Sequence, residues 1–320
     1  MRQSDSPPLV VLLGPTASGK TPLSVQWAKC INAEIVSADS VQVYRYMDIG
    51  TAKPSIETRQ AIPHHLIDVV DPDEPFDAVR YQQLADKAIS EIQKRGKVPM
   101  VVGGTGLYVK ALTHGFFAGP SAHPRLREML KARAEMEGTR ALHEELRRVD
   151  PSAAERIHPN DLFRIIRALE VYHLTGVPIS RHQDEHRFSR PRYKALYLCL
   201  DLPREELYRR INERVEEMIK RGLVEEVKAL MERGYSLDLP SMRSIGYRHM
   251  GSYIKGECSL DEAVEKMKRD TRHYARRQLT WFRAMEGVRW FHEEESDRAL
   301  QEAKSFLEGG RGTWYRHIYH

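Results

Sequence analysis

The sequence predicts an α/β fold: a parallel sheet covered by helices, carrying an inserted all-helical domain. Three observations predict it. Short aliphatic runs that stop at glycine or at a polar cluster recur along the chain, and helical stretches follow them. The first such turn, VVLLGPTASGKT at residues 10–21, fits the phosphate-loop pattern G-x-x-x-x-G-K-[ST]. Between residues 118 and 193 the strand-like runs cease and helical patterns take their place.

The elements follow in order. LVVLL (9–13) has the look of a buried parallel strand, and TPLSVQWAKCI continues helically after it. AEIVSADS (33–40) is a second strand ending in polar residues. KVPMVVGGTGLYVKAL (97–112) repeats the order of strand, glycine turn and helix. In the insert, PRLREMLKARAEMEG and NDLFRIIRALEVYHLTG read as helices, the second closing on a C-cap at Gly176. YKALYLCLDLP (193–203) is a fourth strand. The helix REELYRRINERVEEMIKRG follows it, with Leu207, Ile211, Val215 and Ile219 as its apolar stripe. SLDE, Ser259 to Glu262, is a capping box opening a helix expected to run to Met285. The tail after Phe291 carries no recognisable signal. The expected division is a phosphate-loop NTPase-like α/β core over 1–117 and 194–320, with the helical insert over 118–193.

Composition bounds the class. The chain has 320 residues, 41% hydrophobic and 30% charged, which suits a folded soluble protein with a large core. The net charge of +5 suits an anionic partner. Cys30, Cys199 and Cys258 lie far apart and form neither a disulfide framework nor a metal-spaced set, so a reducing, cytoplasmic setting is expected. No apolar run is long enough for a signal core or a membrane span.

The phosphate loop comprises Gly14, Pro15, Thr16, Ala17, Ser18, Gly19, Lys20 and Thr21. Backbone N–H groups in such a loop surround phosphate oxygens, the lysine adds a mobile charge, and the Thr21 hydroxyl can ligate Mg²⁺. The motif does not say whether the phosphates belong to ATP, another nucleotide or a different compound. Asp39 ends the second strand, where ligands of open parallel sheets bind. It can be a Mg²⁺ ligand, a general base or a turn cap with Ser40. Thr105, at the third strand end, can bond a phosphate or sugar oxygen or cap the next helix. Arg214 lies beside the apolar stripe of its helix, where spacing alone suggests an exposed arginine near Glu217.

Basic residues cluster in three segments. At 100° per residue, Arg269, Arg272, Arg276, Thr280 and Arg283 share one face, with His273 at its edge. That stripe is about 20 Å long. Its spacing suits successive backbone phosphates, although an acidic protein partner or plain solvation would also explain it. Arg164 and Arg167 share a face opposite Leu162, Ile165, Ile166 and Leu169. PSMRSIGYRHM adds Arg243, Tyr247 and Arg248, combining cations with an aromatic able to stack on a base.

Together, GPTASGKT, SADSVQVYRYMDIGTAKP, VVGGTGLY, RIHPNDLFRIIRALEV, DLPSMRSIGYRHM and RRQLTWFR resemble the tRNA dimethylallyltransferases, or tRNA isopentenyltransferases, of bacterial type. The resemblance runs from about residue 9 to 292, and DIGTAKP and RRQLTWFR are its most specific parts. It implies that the phosphate loop holds the diphosphate of dimethylallyl diphosphate, with Mg²⁺. The acceptor it implies is N6 of the adenine just 3′ of the anticodon, in tRNAs reading codons that begin with U. The rival is a kinase or isopentenyltransferase acting on free adenine nucleotides. By resemblance, Asp39 is the general base, Lys20 and Thr21 serve the diphosphate and magnesium, and Thr105 and Arg214 steady the departing diphosphate. The implied tRNA contacts are Asp39, Ser40, Val41 and Gln42 with Thr105. Arg127 and the run Phe163, Arg164, Ile165, Ile166 and Arg167 come from the insert. Arg243, Ser244, Ile245, Gly246, Tyr247 and Arg248 form another run. The last comprises Arg276, Arg277, Gln278, Leu279, Thr280, Trp281, Phe282 and Arg283. The insert is expected to embrace the anticodon stem-loop, and the chain to act as a monomer away from membranes.

Overall fold

The computed structural model describes residues 8–115, 119–120, 122–186 and 191–314. They divide into two compact units, one formed by residues 1–113 with 192–320, the other by 114–191.

The first unit is built on six strands: β1 (Pro8–Leu13), β2 (Ala33–Ala38), β3 (His64–His65), β4 (Val98–Gly103), β5 (Lys194–Leu200) and β6 (Val288–Phe291). Their order is β3-β2-β4-β1-β5-β6, and every pairing is parallel. β1 is central, with Val10 opposite both Met100 of β4 and Leu196 of β5. Leu9 to Leu13 are wholly buried, as an unbroken aliphatic strand between two neighbours requires. The chain leaves β1 toward β2 on one side, and β5 joins on the other, so the carboxyl end of β1 lies at a crevice between diverging connections.

Helices α1 (Lys20–Cys30), α2 (Ile56–Ala61), α3 (Ala78–Lys94) and α4 (Gly106–His114) precede the second unit. That unit contains α5 (Pro124–Glu137), α6 (Thr139–Val149), α7 (Pro151–Arg156), α8 (Leu162–Thr175) and α9 (Ile179–His186). It has its own core, in which Leu130, Leu142, Leu146, Ile165 and Leu169 meet. α8 ends as expected, with Gly176 in the left-handed region at φ 70°.

After β5 come α10 (Arg204–Lys220), α11 (Leu223–Glu232), α12 (Tyr247–Ile254) and α13 (Leu260–Arg283), then α14 (Ser296–Trp314) beyond β6. The buried stripe of α10 is Leu207, Ile211, Val215 and Met218; Ile219 is only half-buried. The capping box of α13 is present in both directions, Ser259 with Glu262. The helix stops at Arg283, two residues before the expected Met285, because the Ala284 N–H closes back on Thr280 and Trp281. The tail that carried no signal forms α14, whose Ala299, Leu300, Ala303 and Leu307 join the core beside Trp27 and Phe291. The Trp27 and Phe291 rings stack at 5.6 Å. Among the described residues no helix is long and apolar enough to cross a membrane.

Candidate active site and nucleic-acid interface

The turn from β1 into α1 wraps one wall of a cavity of about 310 Å³. Residues Thr16 to Thr21 line it, together with Asp39, Gln42, Lys53, Gly104, Arg214, Tyr274 and Gln278. Ala17 takes a left-handed φ of 63° and Gly19 one of 91°, the backbone reversal that turns successive N–H groups inward. Lys20 Nζ donates to Pro15 O at 2.5 Å and to Ser18 Oγ at 3.3 Å, so the lysine reaches back onto its own loop. Burial first, and then the charge of Arg214, bring the Lys20 amine down to about 7 against the opposing pull of Cys199 and Asp39. Burial likewise holds Arg214 below the usual arginine range, with Asp39 opposing. Lys20 and Arg214 therefore share a poorly hydrated cavity with the Asp39 carboxylate, while Lys53, the third cation of the lining, is paired with Asp48 and Asp68. An anion would relieve the imbalance. Arg214 is thus not the exposed, Glu217-paired residue that its spacing suggested; it faces the cavity.

Asp39 leaves the end of β2. Its Oδ1 accepts from the N–H groups of Val41 at 2.8 Å and Gln42 at 3.1 Å, so the turn-capping reading is realised by one oxygen. Among the described residues no hydrogen bond involves its other oxygen. Thr105 Oγ1 accepts from Ser40 N at 3.1 Å, and Thr105 N donates to Ala38 O at 3.1 Å. Thr105 thereby ties the β4 end to the Asp39 turn.

A second cavity, about 300 Å³, adjoins the first. Its apolar wall is Ile211, Val215, Met218, Ile245 and Met267; Ser40, Ser244, Thr271, Arg248 and Arg277 add polar groups. The two cavities share Thr16, Asp39, Thr51, Arg214 and Tyr274. Asp39 therefore stands where a polar, cationic chamber meets a partly apolar one. The Ser244 hydroxyl is buried with no hydrogen-bond partner among the described residues.

Three parts of this site escaped the sequence reading. Tyr274 lies at the junction; burial, with Asp39 adding to it, pushes its phenol up to about 12. Lys53 is buried and donates to Tyr44 O at 2.6 Å, Asp48 at 2.7 Å and Asp68 at 2.5 Å. The Glu226 carboxylate accepts from the N–H groups of Asp48 at 3.0 Å, Ile49 at 2.7 Å and Gly50 at 3.1 Å, and from Tyr247 OH at 2.7 Å. Lys53 and Glu226 fix the loop carrying DIGTAKP from both sides. The one available signal was Lys53 five residues after Asp48 in that motif.

The expected tRNA contacts divide by exposure. Phe163 is 76% exposed, and Arg164, Arg276, Arg277, Thr280 and Arg283 also face solvent. Arg276 has no side-chain partner among the described residues. Arg243 and Arg248 are exposed but paired with Asp238 and Asp270. Other expectations need correction. Tyr247 is 0% exposed and its hydroxyl serves Glu226, so it cannot stack on a base. The side chains of Ile165, Ile166, Gln278 and Phe282 are buried and pack inward. Arg127 and Arg167 both grip Glu170, at 2.8 and 2.6 Å. Burial alone would raise the Glu170 carboxyl, but bonds from Arg127, the His123 N–H and Arg167 hold it down to about 2. These two arginines are partly spent on an internal carboxylate.

Comparison with known proteins adds the lineage. The family model for IPP transferase matches residues 42–285. The tRNA dimethylallyltransferase 1 of Pelobacter propionicus is 50% identical over 303 residues, covering 94% of this chain and 98% of that protein. The crystal structure of the full-length tRNA isopentenylpyrophosphate transferase from Bacillus halodurans is 43% identical with a TM-score of 0.70, covering 95% of this chain and 98% of that one. A eukaryotic dimethylallyltransferase, seen in crystallographic snapshots acting on tRNA, is 29% identical with a TM-score of 0.82, covering 95% and 80%. On the extent of these matches, the chain belongs to the IPP transferase family.

Proposed function

We propose that the chain transfers a dimethylallyl group from dimethylallyl diphosphate to N6 of the adenine just 3′ of the anticodon in tRNA, releasing diphosphate. The observation that carries this reading is the pair of cavities meeting at Asp39, one cationic and one with apolar walls. The diphosphate fits the first, against the loop N–H groups, Lys20 and Arg214. The adenine enters the second, where Ser244 offers an unpartnered hydroxyl.

In the reaction, the allylic C–O bond breaks and its electron pair leaves on the diphosphate. The N6 lone pair forms the new C–N bond, and the N6 proton passes to the Asp39 carboxylate. Lys20, Arg214 and the loop N–H groups oppose the charge gathering on the leaving group, a contribution of several kcal/mol in comparable sites. The Thr21 hydroxyl, which lines the first cavity, suits Mg²⁺, which binds through few protein ligands and substrate phosphates. Bound there, Mg²⁺ would supply further neutralisation of the leaving diphosphate. Flipping a stacked adenine costs roughly a few kcal/mol. The exposed arginines of α13 offset that through contacts to the RNA backbone. A tRNA substrate sets the work in the cytoplasm, and one chain, acting as a monomer, supplies every group named.

The test is incubation with labelled dimethylallyl diphosphate and either tRNA or AMP. Label in tRNA, at that adenine, supports the reading. Label in AMP alone would move the function to free nucleotides.

A further inference from the structure

The residue Gln278 stands within RRQLTWFR, one of the two most specific motifs, yet it is only 6% exposed. Its Oε1 accepts from the N–H of Thr16, inside the phosphate loop, at 2.8 Å. Its Nε2 donates to Gly104 O, in the loop after β4, at 2.9 Å. The amide orientation is fixed by its partners, since a backbone N–H can only donate and a carbonyl can only accept. One side chain of α13 therefore joins the two loops that bear Lys20 and Thr105.

The receiving loop is shaped for this helix. A Cβ on Gly104 would fall 2.1 Å from Gln278 Nε2, and a Cβ on Gly106 would fall 2.0 Å from Trp281 Cδ1. A side chain at either glycine would require the Gln278 amide or the Trp281 ring to move. Tyr274, one turn before Gln278, lines both cavities. Arg276, Arg277, Thr280 and Arg283 of the same helix face solvent. The helix thus presents cations outward and fixes the phosphate loop inward.

We propose that Gln278 is a positioning residue for the transfer reaction: it holds Thr16, and with it the phosphate loop, in register with the Thr105 loop, and makes no contact with RNA. The inference rests on the functional reading above for the identity of the reactants. The bond between Gln278 and the loops does not depend on which acceptor is used.

The test compares wild type, Gln278→Met, Gly104→Ala and the double variant. Inorganic diphosphate with Mg²⁺ is titrated into each by calorimetry, and an anticodon stem-loop RNA is titrated separately. Gln278→Met keeps the bulk and loses both hydrogen bonds. We expect it to lose ~10-fold or more in diphosphate affinity, because small displacements of binding groups are costly. Its stem-loop affinity should stay within about twofold, since the residue is buried. Gly104→Ala should reproduce the diphosphate loss from the other partner. The double variant should be no worse than either single one, as expected for two changes that break one interaction. If Gln278→Met does not fold, Gly104→Ala carries the comparison.

A Gln278→Met protein that loses stem-loop affinity and keeps diphosphate affinity would overturn the proposal. So would additive losses in the double variant, or a diphosphate defect that vanishes on cooling in step with restored folding. Wild type that binds diphosphate but transfers nothing to tRNA would sink the functional reading instead, and the diphosphate comparison would still decide the role of Gln278.

Discussion

Replacing Lys20 by methionine should make the ligand-free protein more stable at neutral pH while removing its diphosphate binding. Burial and Arg214 bring the amine from its ordinary 10.5 to about 7. The folded state disfavours the charged form. Between those two values the folded chain holds fewer protons than the unfolded chain, so stability rises as pH increases across that window. Full linkage puts the penalty at about 4 kcal/mol at pH 7 and about 1 kcal/mol at pH 10, as upper bounds. Methionine removes the penalty but also the bonds to Pro15 O and Ser18 Oγ, each worth about 1 kcal/mol. The net expectation is a gain of ~1–3 kcal/mol at pH 7 that disappears or reverses near pH 10. Urea denaturation of both proteins without ligand, at the two pH values, measures it. A variant less stable than wild type at pH 7, or a gap that ignores pH, would refute the reasoning. Diphosphate titrations of the same samples should show binding in wild type and little in the variant.

Three further outcomes are expected. Asp39→Asn keeps an oxygen for the Val41 and Gln42 N–H groups, so the fold should hold while single-turnover transfer drops by ~10²–10⁴-fold. A defect recovered by added Mg²⁺ would make Asp39 a metal ligand instead, and a near-normal rate would leave only the turn cap. Arg276→Ala and Arg283→Ala should weaken tRNA binding with diphosphate affinity intact, each lowering the salt slope by ~1. Unchanged salt slopes would count against the stripe. Replacing residues 114–191 with a short bridge should leave a folded core that binds diphosphate, because Arg192 N already bonds Thr113 O at 2.8 Å where the chain departs and returns. Full tRNA activity in that protein would show that the insert plays no part in recognition.

The sheet was legible where side chains alone decide it. β1, β2, β4 and β5 are aliphatic runs, and burial between neighbours demands that composition. β3 is two histidines, and β6 is the four residues VRWF with an arginine inside. Neither has a local pattern; both exist because an edge position in the sheet accepts them. α14 was missed for a similar reason, its apolar stripe being visible only once the β1–β5 face it covers is known. Angular accounting on α13 placed Arg269, Arg276, Thr280 and Arg283 at the surface, but Arg272 of the same stripe is half-buried and donates to Asn212 Oδ1 at 2.7 Å. It could not say what the other faces touch, and there Tyr274 and Gln278 reach the site. Tyr247 failed as a base-stacking candidate because its sequence neighbours are exposed arginines, while Glu226, far along the chain, draws its hydroxyl inward.

The difficulty in reading Arg214 is the same one that makes it useful. An arginine beside an apolar helical stripe is ordinarily solvated, and nothing local forbids that. What turns it toward the site is the arrangement of β1, β2 and α10, which puts Arg214, Lys20 and Asp39 around one cavity. The cost appears in both cations, each held below its ordinary value by burial. Such a site is least comfortable when empty. Diphosphate binding restores solvation-like partners to Lys20 and Arg214. In the proposed reaction, breakage of the allylic C–O bond would then place more negative charge on the group they face. Interactions that strengthen along that coordinate lower the barrier rather than merely tightening substrate binding. The burial that depresses both cations and the stabilisation proposed for the departing diphosphate therefore have one physical source.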